Sequence, residues 1–538
     1  MNNNNQNFKK LPANGFAGLK ENFSSDSLSG FLVFLLALPL SLGIAKASEF
    51  PPIMGLITAM IGGVVVTFFA GSKLTIKGPA AGLIVIVAGS VAELGGGNNE
   101  LGWHLALGAV VVAGACQVLF GVFKFGKLAD FFPLAAVEGM LAAIGIIILS
   151  KQIHILLGVN PVNEITGKPL VEPIELLELI PHSFANLNIG STIIGIISLI
   201  IIFGMPAIKN KMIKKIPAPL VVLMITIPLA LLMGLKESNP KGFVHFDKGL
   251  FDILAFNVSF EGFSQTATFV KFVIMFALVG SLEALLTVKA IDIMDPFKRK
   301  SNYNKDLIAI GAGNMLAGAL GGLPMISEVA RSSANVNNGA KTRWANFFHG
   351  IAILIFLIFA TIFSDLIPTA ALAAMLIGVG VKLAHPRVFK HMLHIGKEQL
   401  LIFVVTIIVT LSTDLLIGIG VGILTKFIIH FTHGLTFKTM FKSTILVNKK
   451  DENTYLIVME NASVFSNYIG LLTQFEQIPK GKKVIVDFSN SKLVDHTVFE
   501  GIHHFGNDYK LENGEFDIIG LEGFTNLSDH PMAARYRK

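Results

Sequence analysis

Cysteine occurs once in 538 residues, at Cys116, so no intramolecular disulfide forms and a disulfide-stapled secreted module is excluded. Charge is scarce too. Asp, Glu, Lys and Arg make up 15% of the chain, against about 25% in soluble domains. With 52% hydrophobic residues, the chain has too much apolar side chain for a soluble enzyme of this size or for a disordered scaffold. The phosphate-cradling pattern G-x-x-x-x-G-K-[ST] is missing, so nucleotide-driven pumping is unsupported. The 14 His show no metal-ligand spacing, and His385, His391 and His394 read as part of a solvated basic loop. No nucleophile–base pair or metal set falls in an apolar run, so the chain is not expected to be an enzyme.

Long apolar runs are what the sequence has instead. A spanning helix needs roughly 20 mostly apolar residues. Residues 50–72, 101–123, 179–208, 216–235, 307–327 and 344–364 each lack Asp, Glu, Lys and Arg. Shorter windows of the same kind lie between them. Together they predict fourteen helical segments, near 28–47, 53–70, 79–93, 102–122, 134–156, 190–208, 217–235, 268–290, 306–320, 326–337, 345–363, 367–383, 398–412 and 415–433. The opening residues, almost all Asn up to Asn7, do not read as a cleavable signal. Residues 1–25 are expected to be a cytoplasmic N-terminal segment with an amphipathic stretch around Phe8–Phe23.

Loop charge sets the direction. Even-numbered loops are basic: Lys124 and Lys127, then Lys209, Lys211, Lys214 and Lys215, then Lys298, Arg299, Lys300 and Lys305, then Lys341 and Arg343, then Arg387, Lys390 and Lys397. Odd-numbered loops carry Glu93 and Glu100, the Glu-rich stretch 157–189, Asp365 and Asp414. Both termini are therefore expected in the cytoplasm, and a bacterial-type inner membrane is the expected location. The net charge of +7 is spread over these loops, so nucleic acid is not a partner. After His433 the chain turns polar. Tyr455–Glu460, Lys483–Phe488 and Phe516–Leu521 read as strands and Tyr468–Gln477 and Thr497–Phe505 as helices, which predicts a small α/β domain over 443–538.

Two segments are too short to span. Gly78-Pro79-Ala80-Ala81-Gly82 opens a helix that ends by Glu93, and about 15 residues reach roughly 22 Å of a ~30 Å core. Gly321-Gly322-Leu323-Pro324 precedes a second, Ile326–Asn337. They are third and tenth in order, so they correspond in two repeats of seven, and an odd repeat is inverted. Paired interrupted segments of this kind point to a transporter's midplane site. Each half-helix N-terminus presents unpaired N–H groups and about +0.5 charge, which favours an anion. Arg331 adds a positive charge one turn into the second.

At these residues the chain resembles the sulfate permease (SulP) family of inorganic anion transporters. The matching stretches are LPLSLGIAKASEFPPIMGLITAMIGG, GSKLTIKGPAAGLIV, GSLEALLTVKAID, NMLAGALGGLP and ARSSANVNNGAKT, in that order. The resemblance implies an α-helical polytopic membrane protein of 14 transmembrane helices in a 7+7 inverted repeat, with core and gate domains, over 26–434. It implies secondary active transport of bicarbonate or sulfate, an elevator-type movement, coupling to Na⁺ or H⁺, no other cofactor, and a homodimer. Carbonic anhydrase is the functional partner it implies if bicarbonate is carried. The same fold also serves uncoupled exchangers or channels and dicarboxylate transporters. VIVDFSNSKLVDHTVF resembles the central strand and following loop of the family's cytoplasmic STAS domain. Asp495-His496-Thr497 stands where stand-alone STAS proteins carry a phosphorylatable serine, and the tail is short for a STAS domain.

Glu283 is a carboxylate at bilayer depth, which costs roughly 2.5–3.5 kcal/mol on insertion scales and marks a functional site. Thr287 is one turn on and shares its face. Carboxylate plus hydroxyl suits Na⁺, and a protonating Glu283 suits H⁺. Ser327, at the start of the second short helix, joins both the substrate set and the coupling-ion set. Arg331 aligns with the family's tenth-helix arginine. Glu328 is unusual for the family and is expected in that helix's first turn, paired with Arg331 or Lys289 or acting in coupling. Pro39, Leu40 and Ile44 align with the apolar pocket wall, and Gly78, Pro79, Ala80 and Ala81 with the first half-helix end.

Overall fold

In a computed structural model of the 538-residue chain, the described residues are 11–127, 132–161, 170, 172–210, 216–246, 255–442, 444–475, 477–511 and 514–537. Lys211, Lys214, Lys215 and part of the acidic stretch 157–189 lie outside them. The membrane helices are α1 (Gly15–Ala47), α2 (Pro52–Val64), α3 (Ile84–Gly95), α4 (Asn99–Val122), α5 (Leu134–Leu156), α6 (Ile189–Gly204), α7 (Ala218–Leu232), α8 (Thr266–Met294), α9 (Tyr303–Ala319), α10 (Val329–Asn337), α11 (Trp344–Ile358), α12 (Thr369–Leu383), α13 (Lys397–Ser412) and α14 (Leu415–Thr432). Seven helical stretches among the described residues are long and apolar enough to cross a membrane: α1, α4, α5 and α14, and those containing α6, α8 and α12. Large apolar side chains such as Ile200, Met224 and Leu232 stay exposed, as lipid-facing positions should.

The first helix starts at Gly15 rather than near 28. Nothing between Gly15 and Leu28 is a proline, and the Asn22 kink is absorbed within the helix, so the expected amphipathic stretch runs straight into the first span. Asn98, Asn302 and Asp414 cap α4, α9 and α14 with their side chains. α4 and α9 cross through Gly114 and Gly311, where an added Cβ would meet the opposite carbonyl oxygen at 2.7 and 2.6 Å.

The two short helices differ from expectation at their starts. Both leads are strands: β1 (Ile76–Pro79) and β2 (Met325–Glu328) pair antiparallel, with Ile76 opposite Glu328, Lys77 opposite Ser327, Gly78 opposite Ile326 and Pro79 opposite Met325. Chain buried in a bilayer must satisfy its N–H and C=O groups within the protein, and the two extended leads pair with each other while neighbouring side chains take up groups the ladder leaves over. The helices therefore begin late. A single 3₁₀ turn at Ala81–Leu83 precedes α3, and α10 begins at Val329, not Ile326.

The chain divides into two compact units, Met1–Gly126 with Ile144–Lys382, and Lys127–Ala143 with Leu383–Lys538. In the second lies the α/β tail, with β3 (Thr444–Lys449), β4 (Thr454–Ser463), β5 (Lys483–Asp487), β6 (Ser491–Val494), β7 (Glu515–Ile519), β8 (Phe524–Asn526) and β9 (Arg535–Arg537). The sheet order is β7-β5-β4-β6-β9-β8, and β3 pairs with β4. Helices α15 (Tyr468–Phe475) and α16 (His496–Leu511) cover a core of Ile457, Leu471, Val484, Val486, Val498 and Ile502. After β7 the described chain forms β8 and β9. A separate short helix, Pro386–Ile395, connects α12 and α13.

Candidate substrate site

The β1·β2 crossing sits at the centre of the first unit, and every residue of β1 is buried. Side chains from four helices hold it. Asn314 of α9 accepts from Met325 N–H at 2.6 Å and donates to Met325 C=O at 3.1 Å. Asn346 of α11 accepts from Lys77 N–H at 3.2 Å, and Thr58 of α2 donates to Leu323 C=O at 3.0 Å. Ser332 of α10 accepts from Ile76 N–H at 2.9 Å. The half-helix starts are thus fixed before any ion arrives.

Arg331 is 0% exposed, and its Nε, Nη1 and Nη2 have no hydrogen-bond partner among the described residues. Its guanidinium lies against Gly78, where a Cβ would strike Nη1. This absence of a side chain lets a cationic group reach the strand that leads into the opposite half-helix. Glu328 is not in the first turn of α10 but is its N-cap, in extended conformation. Residue 328 closes the strand pairing with Ile76 and so has left the helix. Its Oε2 accepts from Arg331 N–H at 2.7 Å and lies 3.8 Å from Arg331 Nε.

Glu283 projects from α8 and is buried, and its Oε1 has no hydrogen-bond partner among the described residues. Its carboxylate rests on Gly82, in the 3₁₀ turn that opens α3, where any Cβ would collide with it. The carboxylates of Glu283 and Glu328 interact electrostatically. Thr287 is buried one turn along α8. Pro39, Leu40 and Ile44 are buried on α1, which packs against β1 and α3. Ala80 is buried and Ala81 partly so, between β1 and α3. Ser327 is turned elsewhere: its hydroxyl donates to Asp306 Oδ2 at 3.2 Å.

Sequence reasoning missed the pair Lys77–Asp306. Lys77 Nζ lies 3.1 Å from Asp306 Oδ1, and both side chains are 1% exposed. Asp306 also accepts from Gly71 N–H and Ser72 N–H at 3.0 Å each and from Ser72 Oγ at 2.9 Å. The available signal was a lysine directly ahead of Gly-Pro in a lead already assigned to membrane depth. Four donors converge on Asp306 Oδ1 and the Ser327 hydroxyl takes Oδ2, so this pair is held within the frame, whereas Arg331 and Glu283 keep polar atoms with no hydrogen-bond partner among the described residues.

The profile of the sulfate permease family matches residues 23–406. The chain belongs to that family. The family member YvdB of Bacillus subtilis, a putative sulfate transporter, is 27% identical over 516 residues, 93% of this chain and 92% of its own length. The bicarbonate transporter BicA of Picosynechococcus is 26% identical over 406 residues, 75% of this chain and 69% of its own. Among solved structures, the transmembrane domain of a cyanobacterial BicA superposes with a TM-score of 0.64 at 24% identity, covering 73% of this chain and 97% of that one. SLC26A9 superposes with a TM-score of 0.66 at 15% identity, covering 93% of this chain and 85% of that one. This sulfate permease family member therefore has the family's helical membrane-transporter fold, with an α/β tail of the STAS kind, and is a multi-pass anion transporter rather than an enzyme.

Proposed function

We propose that this chain is a coupled secondary transporter of a small inorganic oxyanion, with bicarbonate favoured over sulfate, held at the β1·β2 crossing. One observation carries the reading: the Arg331 guanidinium, fully buried and without a hydrogen-bond partner among the described residues, lies in the first turn of α10 against Gly78 of the strand that leads to α3. Pro39, Leu40 and Ile44 form the apolar wall, Gly78 to Ala81 and Arg331 supply the positive field, and the anion loses its water between them.

The charges support coupling. Lys77 and Asp306 cancel, and Arg331 and Glu328 nearly do, while Glu283 Oε1 has no hydrogen-bond partner among the described residues. An anion enters such a site together with a cation or a proton on Glu283. Na⁺ would use the Glu283 carboxylate and the Thr287 hydroxyl, and H⁺ would neutralise Glu283 directly. Ser327, spent on Asp306, supports the β1·β2 frame instead. The near cancellation at Arg331 supports a monovalent substrate. The reading also takes in an elevator-type movement, a homodimer, both termini in the cytoplasm, an inner membrane, and carbonic anhydrase as the functional partner that supplies or consumes bicarbonate. Proteoliposome uptake of labelled bicarbonate and sulfate, with and without a Na⁺ or pH gradient, tests it. Uptake of either anion driven by one gradient supports coupling, and gradient-independent uptake favours an exchanger or channel.

A further inference from the structure

The anion-binding end of α10 already holds an anion. Glu328 Oε2 accepts from the backbone N–H of Arg331 at 2.7 Å and stands 3.8 Å from its Nε. Those are the groups an oxyanion would use: a backbone N–H at a half-helix start and a buried guanidinium with no hydrogen-bond partner among the described residues. Two features separate this carboxylate from a structural one. The Glu328 side chain is 16% exposed, so it is not sealed in as the 1%-exposed Asp306 is. Glutamate is also a poor choice of cap, because Asn, Asp, Ser and Thr do this work with shorter, less mobile side chains. The longer side chain reaches past the cap position to the guanidinium.

We propose that Glu328 is a tethered substrate surrogate, whose carboxylate fills the oxyanion position in the empty carrier and which the transported anion must displace. The inference rests on the anion-transport reading of the same site and adds what sets its affinity and valence preference. A tethered competitor acts at high effective concentration, so it raises the apparent KM for every anion. Once displaced, it stays within the site as a fixed negative charge beside Glu283. Repulsion then falls harder on a divalent anion than on a monovalent one, in surroundings where screening is weak.

Full-length protein in proteoliposomes, assayed with labelled sulfate and bicarbonate, tests this with Glu328→Asn and Glu328→Asp. Asn is neutral and a better cap than glutamate, so the variant retains the start of α10. The expected result is a lower KM for both anions in Glu328→Asn, with sulfate gaining on the order of tenfold and more than bicarbonate. Glu328→Asp keeps the charge and shows no such gain. Equal KM shifts in the two variants, or none in Glu328→Asn, would overturn the surrogate role while wild-type uptake leaves the transport reading standing. If Glu328→Asn does not reconstitute, Glu328→Gln makes the same comparison. Absence of uptake by the wild type would overturn the transport reading and this inference with it.

Discussion

The carboxylate of Glu283 rests on the bare Cα of Gly82, so α8 and the opening turn of α3 touch through an unpaired acid and a residue that cannot grow a side chain. In Glu283→Gln the shape is kept and the charge removed. Gradient-driven uptake should disappear while the protein stays monodisperse in detergent. Gly82→Ala should do nearly the same with the carboxylate intact, by pushing it off the turn. Uptake with unaltered Na⁺ and pH dependence in both variants would rule out Glu283 as the coupling group.

Arg331→Ala removes a buried cation at the crossing whose guanidinium nitrogens have no hydrogen-bond partner among the described residues. Anion affinity should fall at least tenfold for bicarbonate and sulfate alike, about 1.4 kcal/mol or more. Arg331→Lys restores charge without the planar fork and should recover only part of it. KM values for the two anions in wild type, Arg331→Ala and Arg331→Lys decide the matter.

Lys77→Met leaves the Asp306 carboxylate buried without its counter-charge, a change that costs roughly 3–5 kcal/mol. The variant should unfold at markedly lower temperature. The double variant Lys77→Met/Asp306→Asn should recover much of the loss, because no lone charge remains. Thermal unfolding of the wild type, the single variant and the double variant in detergent reads this directly. If the double variant is no better than the single, the pair is not the source of the stability.

Asp495 in the tail faces the last membrane helix. Its Oδ2 lies 4.0 Å from Lys426 Nζ and 3.7 Å from His430 Nε2, and it also accepts from Phe465 N–H at 2.8 Å. Lys426 and His430 have no hydrogen-bond partners on those nitrogens among the described residues. Asp495 Oδ1 also accepts from Val498 N–H at 2.8 Å, so Asp495→Asn keeps an acceptor for only one of the two backbone N–H groups and removes the charge. The expected outcome is a lower unfolding temperature and faster proteolysis of the tail, with anion KM unchanged, since every candidate site residue precedes 332.

His530 sits among His394, His391 and His496, at ring distances of 5.0, 6.0 and 6.3 Å, with Glu500 nearby. Partial burial, then the neighbouring imidazoles, lower its pKa below the ordinary 6.5, against a smaller opposing effect of Glu500. The neutral form is therefore favoured when folded. The stability it contributes is present above pH 6.5 and is lost as the pH falls below that value, because the unfolded chain takes up the proton first. Unfolding temperature should drop across that range, and His530→Gln should flatten the drop. A pH profile identical in the variant would remove His530 as its cause.

Much of this was legible in the sequence. The apolar windows located the helices because a bilayer demands length and apolarity in one continuous run. Glu283 and Arg331 stood out because charge at that depth is costly. Pairing was not legible. GSKLTIK and GGLPMIS both read as extended, but nothing local says that Lys77 would lie opposite Ser327 or that Glu328 would leave the helix to become its cap. Asp306 was hidden for a related reason: at the head of an apolar run it resembles a loop residue, and only the fold draws it under Lys77. In the tail, β6, β8 and β9 are three or four residues long and fell below any periodicity.

The four-residue ladder between β1 and β2 also bears on how the protein is made. Ile76 finds its partner Glu328 about 250 residues later in the chain. Until the second half has been inserted, the backbone of β1 has no acceptor or donor to meet, and an unmet polar group in the membrane costs several kcal/mol. The amino-terminal half is therefore not a fold waiting for a copy of itself. It is an unfinished one, and a nascent chain halted before Met325 should be a substrate for membrane quality control rather than a half-transporter.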